Sequence, residues 1–476
     1  MRKLLLASAA MLSASLGLAD LAHAQAFNQA SMDQSGMDDG QAATPAPGTI
    51  SVRLNGRFRF YAGYFDDKDY RGQTATNTTK QNTYGFAEYA RLYPGFDGVA
   101  SNGLKYGAAL EIRQDNTVAA GGGVNGSPSQ ADRGQGTLYL RRAFGYLGAN
   151  KFGTLRFGAT DSPSSLYLTG TVENFDAGGW NGDVYYQLAG NSQLNYPFAD
   201  VGNFYSTSKV VYLSPQFMGF DFGASWEPNT NNSNIDDGNC GSANTANTST
   251  QTTSTGSTVT IPLANGAVYG TDAGVGCART SSTNVAGETS RRVNTTDVLL
   301  RYRGTFGPVG LAATGSYIHS GNVKYNGQAT LTAAQRFSGL DMFDTGVAVT
   351  YAGFSLQGNF QRGRYTGQFA LDTQGGAVGS AWVAGATYTV GPLIFGGSWI
   401  DYTYQGNLAQ TGISQARDQG AAAGATYALA PGVSLFLSYI WDQRKQGGVN
   451  IATNTVSPTG NKLRAQALAL GTGLSW

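Results

Sequence analysis

Beyond Thr49 the chain alternates. Ile50, Val52, Leu54, Phe58, Phe60, Ala62 and Tyr64 fall on one parity, and Ser51, Arg53, Asn55, Arg57 and Arg59 on the other. A period of two held over about fifteen residues is long for a strand in a soluble domain, but it suits a tilted barrel strand with one apolar and one wet face. The alternation returns near 84–99, 104–114, 136–148, 153–161, 207–215, 219–228, 293–305, 308–320, 341–352, 354–363, 379–390, 393–404, 417–429, 432–443 and 462–476. Short turns such as Ser101-Asn102-Gly103, Ala149-Asn150-Lys151, Gly391-Pro392 and Ala430-Pro431 largely alternate with polar loops of about a dozen to more than sixty residues. Strands that sort their connections by length onto two ends predict an all-β fold. The expectation is a closed transmembrane antiparallel barrel of about 16 strands spanning 49–476.

The apolar parity supports contact with lipid. Phe220, Phe222 and Trp226 lie on it, as do Trp382, Tyr388, Phe395, Trp399, Leu435, Leu437, Tyr439 and Trp441. Trp226, Trp382, Trp399 and Trp441 flank long loops, whereas Phe152, Phe306, Tyr351, Phe354 and Trp476 flank short turns or the chain end. That distribution makes an aromatic girdle at each interface, where a ring with one polar edge is most comfortable. A soluble core is the competing account, but a dry core would not tolerate the Arg, Glu, Gln and Asn of the opposite parity.

Composition agrees. Charged residues are 13%, about half the share in an average soluble domain, while glycine (67) and tyrosine (26) are abundant. Residues 1–24 carry Arg2 and Lys3, an apolar run from Leu4 to Leu18, and Ala22-His23-Ala24, which reads as a signal peptide with its cleavage site. Residues 25–48 read as a disordered polar leader. Removing 1–24 leaves 29 basic and 29 acidic residues, a balance that gives no reason to expect nucleic-acid binding. No later run of 18 apolar residues could form a spanning helix, so a membrane location requires a closed barrel.

The stretch 161–206 has no period of its own, yet holds Glu173, Asp176, Asp183 and Asp200 among Tyr167, Phe175, Trp180, Tyr185 and Tyr186. A loop of that length inside a folded unit is commonly functional, and this one is expected to fold inward and narrow the hole. The wet parity of the early strands supplies Arg53, Arg57, Arg59, Arg91, Lys105, Arg113, Arg141 and Arg156, facing Glu173, Asp176 and Asp183 of the loop. Opposed fixed charges across a water-filled gap set up a transverse field that orders dipolar solutes and tunes ion preference; the plainer account is that they solvate the wall and pair with one another. Arg142 falls on the lipid parity, which places it near an interface or a neighbouring subunit unless the register slips by one. Cys240 and Cys277, both in the loop 229–292, form a disulfide in an oxidising compartment or remain two thiols. Catalytic chemistry finds little: His319 is the one histidine beyond residue 24, and no His or Cys cluster has metal spacing. Ala119–Gly123 lacks the Lys-Ser/Thr of a phosphate loop, and Asp66, Asp67 and Asp69 suit an exposed acidic turn better than a cation site.

Ala90-Arg91-Leu92-Tyr93-Pro94-Gly95-Phe96-Asp97-Gly98, Arg141–Gly148 followed by Phe152–Gly158, Tyr212–Phe220, and Leu468–Trp476 resemble successive segments of Gram-negative general porins. The resemblance runs from Thr49 to Trp476. It implies a 16-stranded homotrimeric channel whose third long loop enters the lumen, with Arg91 and Arg141 at the constriction. Two positions depart from it: Trp476 replaces the usual terminal Phe, and Leu213 stands where some relatives carry a basic residue. The expected function is passive diffusion of small hydrophilic solutes and ions across the outer membrane, among lipid and lipopolysaccharide, with no cofactor, metal or catalysis. The alternatives are a sugar- or anion-specific channel and, more remotely, an adhesin presenting 229–292 or a barrel enzyme built on His319.

Overall fold

A computed structural model describes residues 45–66, 83–115, 138–175, 180, 194–198, 207–229, 248–252, 258–262, 281–282, 292–322, 324–325, 336–367, 370–406, 415–451 and 455–476. Sixteen strands form a closed antiparallel barrel: β1 Ile50–Asp66, β2 Tyr84–Val99, β3 Lys105–Asp115, β4 Leu138–Ala149, β5 Gly153–Ala159, β6 Ser208–Leu213, β7 Phe220–Asn229, β8 Arg292–Phe306, β9 Val309–Asn322, β10 Asp341–Tyr351, β11 Phe354–Arg364, β12 Gly379–Val390, β13 Leu393–Gln405, β14 Gln415–Ala430, β15 Val433–Lys445 and β16 Lys462–Ser475. Consecutive strands pair throughout, and β1 closes on β16 from Arg57↔Ser475 to Asp66↔Gln466. Terminal Trp476 extends that seam, exchanging backbone hydrogen bonds of 3.1 Å with Gly56. Closure leaves no unpaired edge, which is what hydrocarbon demands of a sheet.

The short turns gather at one end and the long loops at the other. Gly307-Pro308 and Gly391-Pro392 each open on a glycine with positive φ, +59° and +55°. A two-residue hairpin turn of type II′ asks for that conformation in its first position, and proline sets φ in the second. The long loop 230–291 carries a small hairpin, Thr248–Thr252 with Thr258–Pro262, and Ser281–Ser282 pairs in parallel with Lys324–Tyr325.

Along β1 the outward side chains Val52, Leu54, Phe60 and Tyr64 are exposed, while Arg53, Arg57, Arg59 and Tyr61 are buried inside the barrel. The same in–out pattern holds on β2 and β7–β16, as period-two patterning dictates. It breaks once among the arginines. Pairing of β3 with β4 shifts between Glu111 and Ile112: Arg142 stands opposite Glu111, Leu140 opposite Ile112, and Arg141 is the extra residue. Both arginines are buried on the inner side, with Leu140 exposed outside. The lipid-facing assignment of Arg142 is therefore corrected, because a β-bulge moves every residue beyond it to the other face.

One arc of the interior carries an apolar cluster. On β12–β16 the inner positions include Ala381, Val383, Ile400, Ala416, Ala422, Ile440, Ala465, Ala467 and Ala469, and they form one apolar cluster with Val172, Phe175, Trp180, Leu194, Tyr196 and Phe198 of the loop between β5 and β6. Small inward residues leave room for that loop, and its rings fill the room.

Candidate functional site

The inner wall of β1–β4 is arginine-rich. Pairing register puts Arg57 opposite Arg91 and Arg91 opposite Arg113, so three guanidiniums share one cross-strand row. Like charges directly opposed destabilise a sheet, and aromatic rings and carboxylates offset the cost. The Tyr89 ring lies 4.8 Å from the Arg91 guanidinium, 5.7 Å from that of Arg57 and 5.9 Å from that of Arg59. Such contacts suit a cation that has lost water. One row nearer the short turns, Glu111 accepts from Arg113, from Arg141 and, at 2.6 Å, from Arg142 Nε. Asp161, the second residue past β5, accepts from Arg141 Nη2 at 3.2 Å and Arg142 Nη1 at 2.5 Å. The bulge makes this possible, since it turns two consecutive arginines toward the same pair of carboxylates. Lower still, Arg53 Nε donates to Asp97 at 2.6 Å, Tyr146 donates to the same carboxylate, and Arg156 lies 5.0 Å from the Phe144 ring. Among the residues whose side chains are described, the seven arginines of this wall and Arg156 of β5 stand against three carboxylates, Asp97, Glu111 and Asp161.

The described residues of the loop from β5 to β6 lie inside the barrel. At its neck Lys209 Nζ donates to Thr160 O at 2.7 Å and Thr207 O at 3.1 Å, tying both ends together. A single-turn helix, α1 (Pro163–Leu166), follows. Ser164 N donates to Asp297 of β8 at 2.7 Å, and Leu166 packs with Val211 and Leu213. Leu213, in place of a basic residue, is thus an apolar seat for α1. The Arg301 guanidinium lies 3.4 Å from the Tyr167 ring and makes two 2.8 Å hydrogen bonds to Asp221. Burial in that setting raises the Tyr167 hydroxyl above its usual pKa.

The loop then meets the far wall. Asn359 Nδ2 of β11 donates to Thr169 O at 2.9 Å, and Val172 N donates to Gln357 Oε1 at 3.2 Å. Asn174 bonds Thr387 of β12 at 3.2 Å and Gln357 at 3.1 Å. Gly346 of β10 lies so close to the Thr169 carbonyl that any Cβ there would overlap it, and the Trp180 ring occupies the space a side chain at Gly420 of β14 would need. Asn195 N donates to Asp418 of β14 at 2.7 Å. Beside it on the rim, the β11–β12 connection buries Asp372, whose carboxyl is pushed up to about 7 by burial.

The predicted arginines Arg53, Arg57, Arg59, Arg91, Arg113, Arg141 and Arg156 therefore share one wall. Of the predicted loop acids, Glu173 is buried and accepts from Tyr196 Oη at 2.7 Å; Asp176, Asp183 and Asp200 lie outside the described residues, as do Cys240, Cys277, Asp67, Asp69 and residues 1–44. Sequence reasoning missed Asp97, Glu111 and Asp161 as partners of the arginines. The first two stand on the wet parity and could have been found there; the partnership of Asp161 depends on where the loop departs. His319 is exposed on the outward face, its ring stacked 6.5 Å from that of Tyr317, away from the arginine wall.

A family model described as Gram-negative porin matches residues 7–447. Similar solved structures include OmpT, an outer membrane protein of Vibrio cholerae in a trimer form, at 13% identity and TM-score 0.49, covering 90% of this chain and 100% of that one. An anion-selective porin from Comamonas acidovorans has 14% identity and TM-score 0.49 over 90% of this chain and 100% of its own. A mutant of the Rh. blastica porin has 12% identity and TM-score 0.47 over the same shares, 90% and 100%. No curated protein matches.

Proposed function

The chain belongs to the Gram-negative porin family and is a passive diffusion channel of the outer membrane, and we propose that its water path runs along the arginine wall of β1–β4 and passes small anionic solutes in preference to cations. The observation that carries this reading is the excess of charge: among the residues whose side chains are described, seven arginines of β1–β4 and Arg156 of β5 against three carboxylates, with Arg57, Arg91 and Arg113 aligned in a single row. Fixed positive charge in a confined aqueous gap raises the local concentration of anions and excludes cations, more so at low ionic strength. The described residues of the loop, 161–175, 180 and 194–198, stand on the other side of the gap. The loop's apolar face is docked on β12–β16, so the passage is displaced toward β1–β5 rather than centred. Glu173, Asp176 and Asp183 belong to this proposal as the acidic side of the constriction.

Transport in this reading is non-enzymatic. The arginine wall offers fixed charge, and His319 lies on the outer face of β9. The channel is a homotrimer, as the resemblance to general porins implies, and residues 1–24 are removed on export. The test is reversal potential in a planar bilayer under a salt gradient. The wild type should give the sign of an anion-preferring pore, with conductance steps in threes. Replacing Arg57, Arg91 and Arg113 by Gln should move the potential toward zero. A cation-preferring wild type, or a triple variant with unchanged potential, refutes the proposal.

A further inference from the structure

Across the barrel from β1–β4, the inner face of β9–β11 gathers oxygen atoms around a single carboxylate. Cross-strand pairing sets Ser316 of β9 opposite Asp344 of β10, and Asp344 opposite Gln361 of β11. In the next inward row, nearer the short turns, Thr314, Gly346 and Asn359 stand in line. The side chains of Thr314, Ser316, Asp344, Asn359 and Gln361 are buried, each at most 5% exposed. Thr314 Oγ1, Ser316 Oγ, Asp344 Oδ2, Asn359 Oδ1 and Gln361 Oε1 have no hydrogen-bond partner in the protein. Neighbours directly across a ladder are about 5 Å apart at Cβ, and the Asn359 amide ties the two rows together. Its Nδ2 lies 3.5 Å from Asp344 Oδ1 and 2.9 Å from Thr169 O, the loop carbonyl that sits over the bare backbone of Gly346.

Charge is what this patch lacks. Among the described residues, no lysine or arginine points inward from β9–β11. Asp297 of β8, diagonal to Ser316, is the neighbouring acid; it accepts from Ser164 N at 2.7 Å and faces Lys209. Asp344 accepts from Asn359 and Gln361 but has no such countercharge. A buried carboxylate needs one, or must take up a proton. A proton would satisfy Asp344 alone, and four acceptor oxygens around it would still face one another unmet. A cation would satisfy them together.

We propose that this patch is a binding site for a dehydrated monovalent cation of the sodium class, coordinated by Asp344 and the neutral oxygens of Thr314, Ser316, Asn359 and Gln361. An all-oxygen donor set selects a hard cation over a transition metal. One carboxylate balances one positive charge. Among the described residues no three Asp, Glu, His or Cys side chains converge, so a divalent ion would keep uncompensated charge in a buried place. The ion is resident in the wall rather than in transit. It fixes the Asn359 amide that holds Thr169, and so couples the loop to β9–β11 by a second route, separate from the apolar cluster. The inference does not rest on the anion preference of the water path.

The test uses the full folded protein in detergent, with sodium chloride exchanged for N-methylglucamine chloride at constant ionic strength, the larger cation being unable to enter. Amide exchange in residues 167–173 should slow as sodium rises, by a factor that follows 1 + [Na⁺]/Kd and reaches about fivefold at about 0.5 M. Asp344→Asn keeps the shape and removes the charge, and it should abolish the dependence. Asp372→Asn, in the β11–β12 connection, should leave it intact. If Asp344→Asn does not fold, Ser316→Ala reads the same site and should weaken the sodium dependence about threefold or more. An exchange rate in the wild type that ignores sodium, or a sodium effect that survives Asp344→Asn, overturns the proposal. So does equal protection by calcium chloride at about a hundredfold lower concentration with sodium absent, which would make the ion divalent.

Discussion

Trp180 is the residue whose loss should most change the channel without touching a charge. Its side chain is buried to 1% exposure inside the barrel, against the bare backbone of Gly420 and among the apolar side chains that hold the loop to β12–β16. Burial of about 200 Å² of ring surface stabilises by about 5 kcal/mol, and measured Trp→Ala substitutions cost about 3–5 kcal/mol. Further anchors are hydrogen bonds that join Thr169, Val172, Asn174 and Asn195 to the wall, with Thr169 O accepting, each worth about 1 kcal/mol net. Trp180→Ala should therefore raise the population of the locally undocked loop by about 10²- to 10⁴-fold while the barrel's ladders remain intact. In single-channel recordings the variant should show greater open-channel noise and larger substates, and hydrogen exchange in residues 161–175 should speed up. Gly420→Val attacks the same contact from the strand and should reproduce both effects. If Trp180→Ala conducts as quietly as the wild type with unchanged exchange in 161–175, the loop is not held by this dry cluster and the off-centre water path loses its basis.

Other outcomes follow from the same geometry. Glu111→Gln removes a buried carboxylate shared by Arg113, Arg141 and Arg142, so the folded barrel should lose about 3 kcal/mol in urea unfolding; a change under about 0.5 kcal/mol would count against the network. Asp372, buried in the β11–β12 connection, has its carboxyl pushed up to about 7, so the folded state favours the protonated form. That contribution is full below the ordinary carboxylate pKa near 4 and is lost as pH rises through about 7. Amide exchange in 365–374 should accordingly be slower at pH 4 than at pH 8 once corrected for intrinsic rates, and Asp372→Asn should abolish the difference. A pH effect that persists in Asp372→Asn would assign it to another group.

The barrel itself was legible in the chain. Period two is a property of consecutive residues, and a strand with one lipid face and one wet face must show it wherever it lies in the sheet. The strand number, the sorting of connections, the outward tryptophans and seven inward arginines followed from parity alone. Arg142 did not, because a bulge is decided by how two strands meet and not by either strand read singly. The partnership of Asp161 with the arginines was equally hidden, since it lies 50 residues beyond Glu111 in the chain and meets the same guanidiniums only through the β3–β4 register and the departure of the loop. The dry arc is the plainest case. Gly420 carries no side chain where the Trp180 ring lies against its backbone, and Ala416 and Ala422 join the same apolar cluster. A small side chain records the space it leaves, but what fills that space is settled by a loop arriving from more than 200 residues away, and only the folded chain brings the two together.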